Sequence, residues 1–166
     1  MKKFVLSHID NNYIRYLHDI DNKVQYNKEQ KRPYLGIVFR LSNEHGSFLY
    51  FAPLESPKPR HKELKNTGPI MKLDEGKLGI IGFNNMIPVP KKFLVRFDIS
   101  EENDERYKRL LLKQLHFCND NCNSIIKKAT MTYYKVVKAK NPFYMKTCCD
   151  FKKLESKVSL YDFEHE

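Results

Sequence analysis

Pro33-Tyr34-Leu35-Gly36-Ile37-Val38-Phe39-Arg40-Leu41, then Ser42-Asn43-Glu44-His45-Gly46, then Ser47-Phe48-Leu49-Tyr50-Phe51-Ala52-Pro53-Leu54 is the stretch that decides the fold. Its outer pieces are almost continuously apolar, rich in β-branched and aromatic side chains and short, which suits buried strands. The Asn- and Gly-containing link between them is a hairpin signal. Upstream, residues 3–8 read as a strand, 12–19 as a short helix or turn, and 21–31 as a polar stretch with one aromatic, Tyr26. Downstream, residues 55–62 are expected to be irregular, because Pro57 and Pro59 bracket Lys58. Short strands are predicted at 70–73, 78–83, 86–89 and 93–99.

The period then changes. Ser100 is a candidate N-cap, with Glu101 and Glu102 in the first turn. Tyr107, Leu110, Leu111, Leu115, Cys118 and Cys122 recur at helical spacing. The Asn119–Asn123 cluster interrupts them, a second helix runs from about 124 to 138, and Asn141-Pro142 is expected to end it. Asp150 caps a last short helix through Leu154 and Val158. Strands gathered before helices indicate an α+β domain. A length of 166 residues without repeats or a low-complexity linker fits one domain, 1–166.

Thirty Lys and Arg against twenty Asp and Glu leave a net charge of +10. Such an excess attracts polyanions, either nucleic acid or anionic membrane, although codon drift in an AT-rich genome would also enrich Lys. Nothing points to a membrane. His8, Asp10, Asn11 and Asn12 break the first apolar run, and no segment approaches eighteen apolar residues, so a cytoplasmic location is expected. Cys118, Cys122, Cys148 and Cys149 lack paired Cys-x-x-Cys spacing and read as buried reduced thiols rather than a zinc site. Phosphate-loop, dinucleotide, His-Glu-x-x-His and Gly-x-Ser-x-Gly motifs are all absent, so no cofactor or metal is expected.

The stretch richest in chemistry follows the hairpin: Glu55, Ser56, Lys58, Arg60, His61 and Lys62 lie on a proline-stiffened loop. Transphosphorylation of RNA needs a base for the 2′-hydroxyl, cations or donors for the crowded phosphorane, and an acid for the leaving 5′-oxygen. The loop carries all three kinds of group. A solvated basic turn without catalytic duty would have the same composition.

Several blocks resemble the ToxN/AbiQ family of type III toxins, in the family's order and across nearly the whole chain. They are Arg32-Pro33-Tyr34-Leu35-Gly36-Ile37-Val38, Tyr50 through Lys58, Asn84-Asn85-Met86-Ile87-Pro88-Val89, Tyr107 through Leu115, and Cys149-Asp150-Phe151 with Leu154-Glu155. The block Ala52-Pro53-Leu54-Glu55-Ser56-Pro57-Lys58 is the most specific. The resemblance implies a compact antiparallel sheet or barrel like that of the MazF/Kid toxins, with C-terminal helices. It implies a metal-independent endoribonuclease that leaves 2′,3′-cyclic phosphate and 5′-hydroxyl ends on cellular or phage RNA, with growth arrest or abortive infection as the outcome. It also implies a partner: a folded, repeat-derived RNA antitoxin, processed by the toxin and joined to it in a hetero-oligomeric ring.

Carried over residue by residue, Ser56 matches the family's active-site serine and Lys58 follows it. Glu55 stands where the family often has Thr, as a general base or a mere neighbour. Arg32 takes the place of a family lysine; it would clamp a phosphate but donates protons poorly. Tyr26 is the nearest counterpart of a family tyrosine. His61 falls where the family has a histidine, suited to proton transfer or to a structural hydrogen bond. Lys31, Arg60, Lys62 and Lys65 are expected to grip the RNA backbone. Two other readings of the charge stand beside this one: a non-catalytic nucleic-acid-binding module, and a toxin neutralised by a protein.

Overall fold

A computed structural model describes residues 3–164. The hairpin is its spine. Strands β2 (Tyr34–Asn43) and β3 (Gly46–Glu55) pair antiparallel from Tyr34↔Pro53 to Asn43↔Gly46, with a bulge between Gly36 and Phe39. Strand β1 (Val5–Ile9) joins β2, and β4 (Ile70–Lys72), β5 (Ile80–Gly82), β6 (Ile87–Pro88) and β7 (Leu94–Val95) complete a sheet in the order β4-β5-β3-β2-β1-β7, with β6 also on β3. Every pairing is antiparallel. The expected strand at 93–99 shrinks to β7, because Phe93 closes a 3₁₀ turn and Asp98 caps another over Ile99–Glu101.

Helix α1 (Asn11–Ile20) is capped by Asp10, which accepts the Tyr13 N–H at 2.9 Å, and buries Tyr13, Ile14 and Leu17. Residues 55–62 are not wholly irregular. Pro59 sits in the first turn of a short helix, α2 (Pro59–Glu63), where its missing N–H has no intrahelical partner to lose. The long helix starts at Glu105 instead of Ser100, because Asp104 accepts the N–H groups of Arg106 and Tyr107. This α3 (Glu105–Asp120) stops at Asn121, where α4 (Cys122–Val137) begins. Asn141-Pro142 opens a helix and does not end one: Asn141 caps α5 (Pro142–Thr147), with Pro142 in its first turn. Helix α6 (Phe151–Glu164) follows.

The core lies between sheet and helices. Leu35, Val38, Tyr50, Ala52, Phe51 and Ile81 of the sheet meet Leu111, Cys118, Ile125, Ala129, Phe151 and Leu154 of the helices. All four cysteines are buried and free; burial pushes the Cys118 thiol up to about 12 and the Cys148 thiol up to about 11. One carboxylate, Glu155 of α6, is buried with them. It accepts hydrogen bonds from the phenols of Tyr50 (β3) and Tyr133 (α4) and from Asn43 Nδ2 at 2.9 Å. Three donors from three elements offset the desolvation of that side chain. Among the described residues no helix is long and apolar enough to cross a membrane.

Candidate active site

Strand β3 ends at Glu55 and releases Ser56, Pro57 and Lys58 to the surface before α2 turns the chain back inward. The turn is held by His61, which is completely buried. Its Nδ1 accepts the Lys58 backbone N–H at 3.1 Å, which fixes the tautomer: the ring proton sits on Nε2 and is donated to Glu55 Oε2 at 3.2 Å. Arg60 adds a longer contact of 3.4 Å to the same oxygen. Glu55 thus has one oxygen engaged and a side chain 18 % exposed, while Oε1 has no partner among the described residues.

The loop is also supported from beneath. Residues 73–79 pass under it with Gly76 and Gly79 at positive φ. A Cβ on Gly79 would come within 1.8 Å of the Glu55 carbonyl oxygen, and one on Gly76 within 2.9 Å of the His61 carbonyl oxygen. Only glycine allows this approach in that backbone conformation. Gln114 of α3 ties the same turn down by donating to the Leu78 carbonyl at 2.8 Å. The sequence reading did not assign these supports. Gly79 falls inside the strand expected at 78–83, and nothing local says what Gly76 and Gly79 lie against.

Arg32 reaches the site through strand pairing. The Leu54 N–H donates to the Pro33 carbonyl at 3.0 Å, and the Tyr34↔Pro53 register puts Arg32 at the strand end from which Glu55 and Ser56 leave. Arg32 is only 7 % exposed, and its Nε donates to the Tyr26 carbonyl at 2.7 Å. The segment before it makes a tight turn in which Lys28, Glu29 and Gln30 all have positive φ, closed by the Lys31 and Arg32 N–H groups on the Asn27 carbonyl. Lys31 is left exposed.

Electrostatics add a residue that the sequence placed on a helix face and in a family block but not in the site: Tyr107 of α3. Burial raises its phenol pKa and Glu102 raises it further, while the Arg32 charge lowers it, so Tyr107 lies within the field of Arg32. His8 of β1 belongs to the same neighbourhood. Its imidazole is stacked on Phe97 with ring centroids 4.0 Å apart, and burial lowers its pKa against a Lys31 backbone hydrogen bond and the Glu102 charge.

The expected site residues therefore separate. Glu55, Ser56, Lys58, Arg60 and His61 form one unit, with Arg32 at its edge; Lys62 and Lys65 continue it as exposed side chains. The Tyr26 ring goes elsewhere: it is 72 % exposed and lies against His18 at a centroid distance of 4.3 Å. His61, read from sequence as suited to proton transfer or to a structural hydrogen bond, faces only protein and makes two hydrogen bonds within the loop.

The match to a known family is extensive. The family described as toxin ToxN, type III toxin–antitoxin system, covers residues 5–159. The chain is 35% identical to endoribonuclease ToxN of Bacillus thuringiensis subsp. kurstaki, over 92% of this chain and 81% of that one. It superimposes with a TM-score of 0.82 on a type III toxin selectively inhibited by a non-coding RNA pseudoknot, at 33% identity, over 97% of this chain and 99% of that one. With AbiQ, a lactococcal anti-phage endoribonuclease, the TM-score is 0.83 at 27% identity, over 98% and 99% of the two chains.

Proposed function

The chain belongs to the ToxN family of type III toxin–antitoxin toxins, and on that premise we propose that the Glu55–His61 loop is its RNA-cleaving centre. Like its relatives, the protein is an endoribonuclease toxin whose restraining partner is RNA. It acts as one domain, residues 1–166, in the cytoplasm, and the AbiQ likeness makes defence against phage its biological setting. Inhibition of a relative by an RNA pseudoknot favours an RNA antitoxin over a protein one.

The observation that carries the reading is the buried His61. A solvated basic turn has no reason to enclose an imidazole and spend both of its nitrogens on neighbours three and six residues away. That arrangement aims Glu55 and orders the backbone at Lys58, as a reacting centre requires. Glu55 Oε1 takes the proton of the 2′-hydroxyl, O2′ bonds to phosphorus, and the P–O5′ bond breaks. The Lys58 ammonium gives its proton to O5′. The Ser56 hydroxyl donates to a non-bridging oxygen, where charge accumulates in the transition state. Arg32, held on the Tyr26 carbonyl, contributes fixed positive charge. His61 is a positioning residue, and Tyr26 presents its ring to RNA as an exposed surface.

The test is the chemistry of the product ends. Cleaved RNA is expected to carry 2′,3′-cyclic phosphate and 5′-hydroxyl termini, and Glu55→Gln is expected to slow their formation at all pH values while RNA binding persists. Products with 5′-phosphates, or a fully active Glu55→Gln protein, would remove Glu55 from the reaction.

A further inference from the structure

Residues 121–149 contain six lysines and not one aspartate or glutamate, so a single segment supplies +6 of the net +10. It comprises α4 and α5, on the far side of the 62–68 loop from the cleavage centre. Five of the nine large hydrophobic side chains that stand exposed among the described residues belong to it: Ile126, Met131, Tyr134, Phe143 and Met145, at 39–58% exposure. Lys127, Met131, Tyr134 and Lys138 follow one another at steps of four, three and four, which is one face of a helix. A helix face kept only for solubility has no use for exposed rings and thioethers, and like charges without acidic neighbours repel one another until a counter-charge arrives.

The face is joined to the cleavage loop. Lys72 Nζ donates to the carbonyls of Lys62 and Leu64 at 2.9 and 3.0 Å, and Lys128 Nζ donates to the Asn66 carbonyl at 3.2 Å. A Cβ on Gly68 would touch the Phe143 ring at 3.5 Å. The surface that starts at Ser56 therefore continues past Lys62 and Lys65 to Phe143 and the exposed side of α4.

We propose that this α4–α5 face is a second RNA-contacting surface, which takes a single-stranded stretch of RNA lying beyond the scissile phosphate. Lys127, Lys138 and Lys146 meet phosphates, and Tyr134 and Phe143 receive bases by stacking. The inference rests on the reading of the chain as an RNA-cleaving toxin and adds where the rest of the RNA lies. A strand with a negative charge at every nucleotide and a π-face at every base matches rings set among lysines, and such contacts tolerate any sequence.

The experiment uses full-length Ser56→Ala protein, so that RNA is bound without being consumed, and two RNAs: a minimal oligonucleotide spanning the cleavage position and one extended by a single-stranded flank. The extended RNA is expected to bind at least tenfold more tightly. Tyr134→Ala/Phe143→Ala is expected to erase that gain. Lys127→Gln/Lys138→Gln is expected to reduce it and to flatten the log–log salt dependence by about 0.7 per lysine. Lys91→Gln, an exposed lysine on the 3₁₀ turn before β7, keeps the full gain. Equal affinity for the two RNAs, or retention of the gain in both double variants, would overturn the proposal. So would variants that retain the gain but lose self-association, or lose binding to vesicles rich in phosphatidylserine, since the face would then belong to a second copy or to a membrane. Cleavage of the minimal RNA by the Ser56 protein is measured in parallel: its absence would count against the catalytic reading, whatever the flank does.

Discussion

The cleavage loop and the α4–α5 face are both strongly basic, yet they are built in opposite ways. In the loop, the groups that set its geometry are paired: Glu55 Oε2 has His61 and Arg60, His61 has the Lys58 N–H, and two glycines bring a turn close beneath the backbone. On the α4–α5 face the lysines stand largely in solvent, and the segment carries no acidic residue to hold them. One region relies on position, the other on density of charge and ring. Substitutions in the first should therefore act steeply and singly, and those in the second gently and by accumulation.

The largest effect that tests this contrast is at Ser56. Removing one pre-aimed donor to the scissile phosphate is expected to cost on the order of 3–4 kcal/mol of transition-state stabilisation, about two to three decades in rate. Ser56→Ala should lose toxicity while its melting temperature and RNA affinity stay near those of the parent. A mild rate loss would make the loop resemble the charged face after all.

Next is His61. His61→Ala leaves the Lys58 N–H and the Glu55 carboxylate without their partners, and each unsatisfied group costs about 1–3 kcal/mol of stability if it stays dry. The cleavage rate is expected to fall more than tenfold with little change in KM. In His61→Asn the amide oxygen takes over the Nδ1 acceptor position, so stability should return further than rate. If the two recover together, His61 is structural support only.

A single lysine of the other region should matter least among the substitutions. Lys146→Gln is expected to raise KM two- to threefold and leave kcat alone, since one exposed phosphate contact is lost among several. A loss in kcat would mean that α5 reaches the reacting atoms. The smallest effect is expected from chelation: Lys58, Arg60 and Arg32 already supply positive charge at the loop, so cleavage in EDTA should proceed at the full rate. Activity that vanishes in EDTA and returns with magnesium would break the proposed mechanism.

The hairpin could be read directly because burial on both faces near Tyr34–Val38 and Tyr50–Leu54 leaves those segments almost free of polar residues. The helical half was legible from its period, but its boundaries moved wherever two capping residues compete. Asp98 claims Ser100 for a 3₁₀ turn, and Asp104 starts the true helix four residues later. Pro59 and Pro142 look like breakers in sequence and act as first-turn residues, since the meaning of a proline depends on which side of it the helix lies. Of the site, composition revealed the loop and its chemistry. It did not reveal that His61 faces inward, because the burial of a polar side chain depends on residues 73–79 arriving from elsewhere. Nor did it announce that Arg32 would be covered, an outcome of three successive left-handed residues none of which is glycine. The acid-free run at 121–149 is a matter of composition, but whether its rings are core or surface is a tertiary fact.

Glu155 has a consequence for the order of assembly. The strand that delivers Ser56 to the surface contains Tyr50, whose phenol finds its acceptor on a residue more than a hundred positions later in the chain. While the polypeptide is still emerging from the ribosome, the cleavage loop exists as sequence long before the hairpin beneath it can settle. A chain cut short before residue 155 leaves the phenols of Tyr50 and Tyr133 with no carboxylate to share. The hairpin is thus completed by a helix made long after it, and termination before Glu155 yields a fragment that lacks the keystone of its own core.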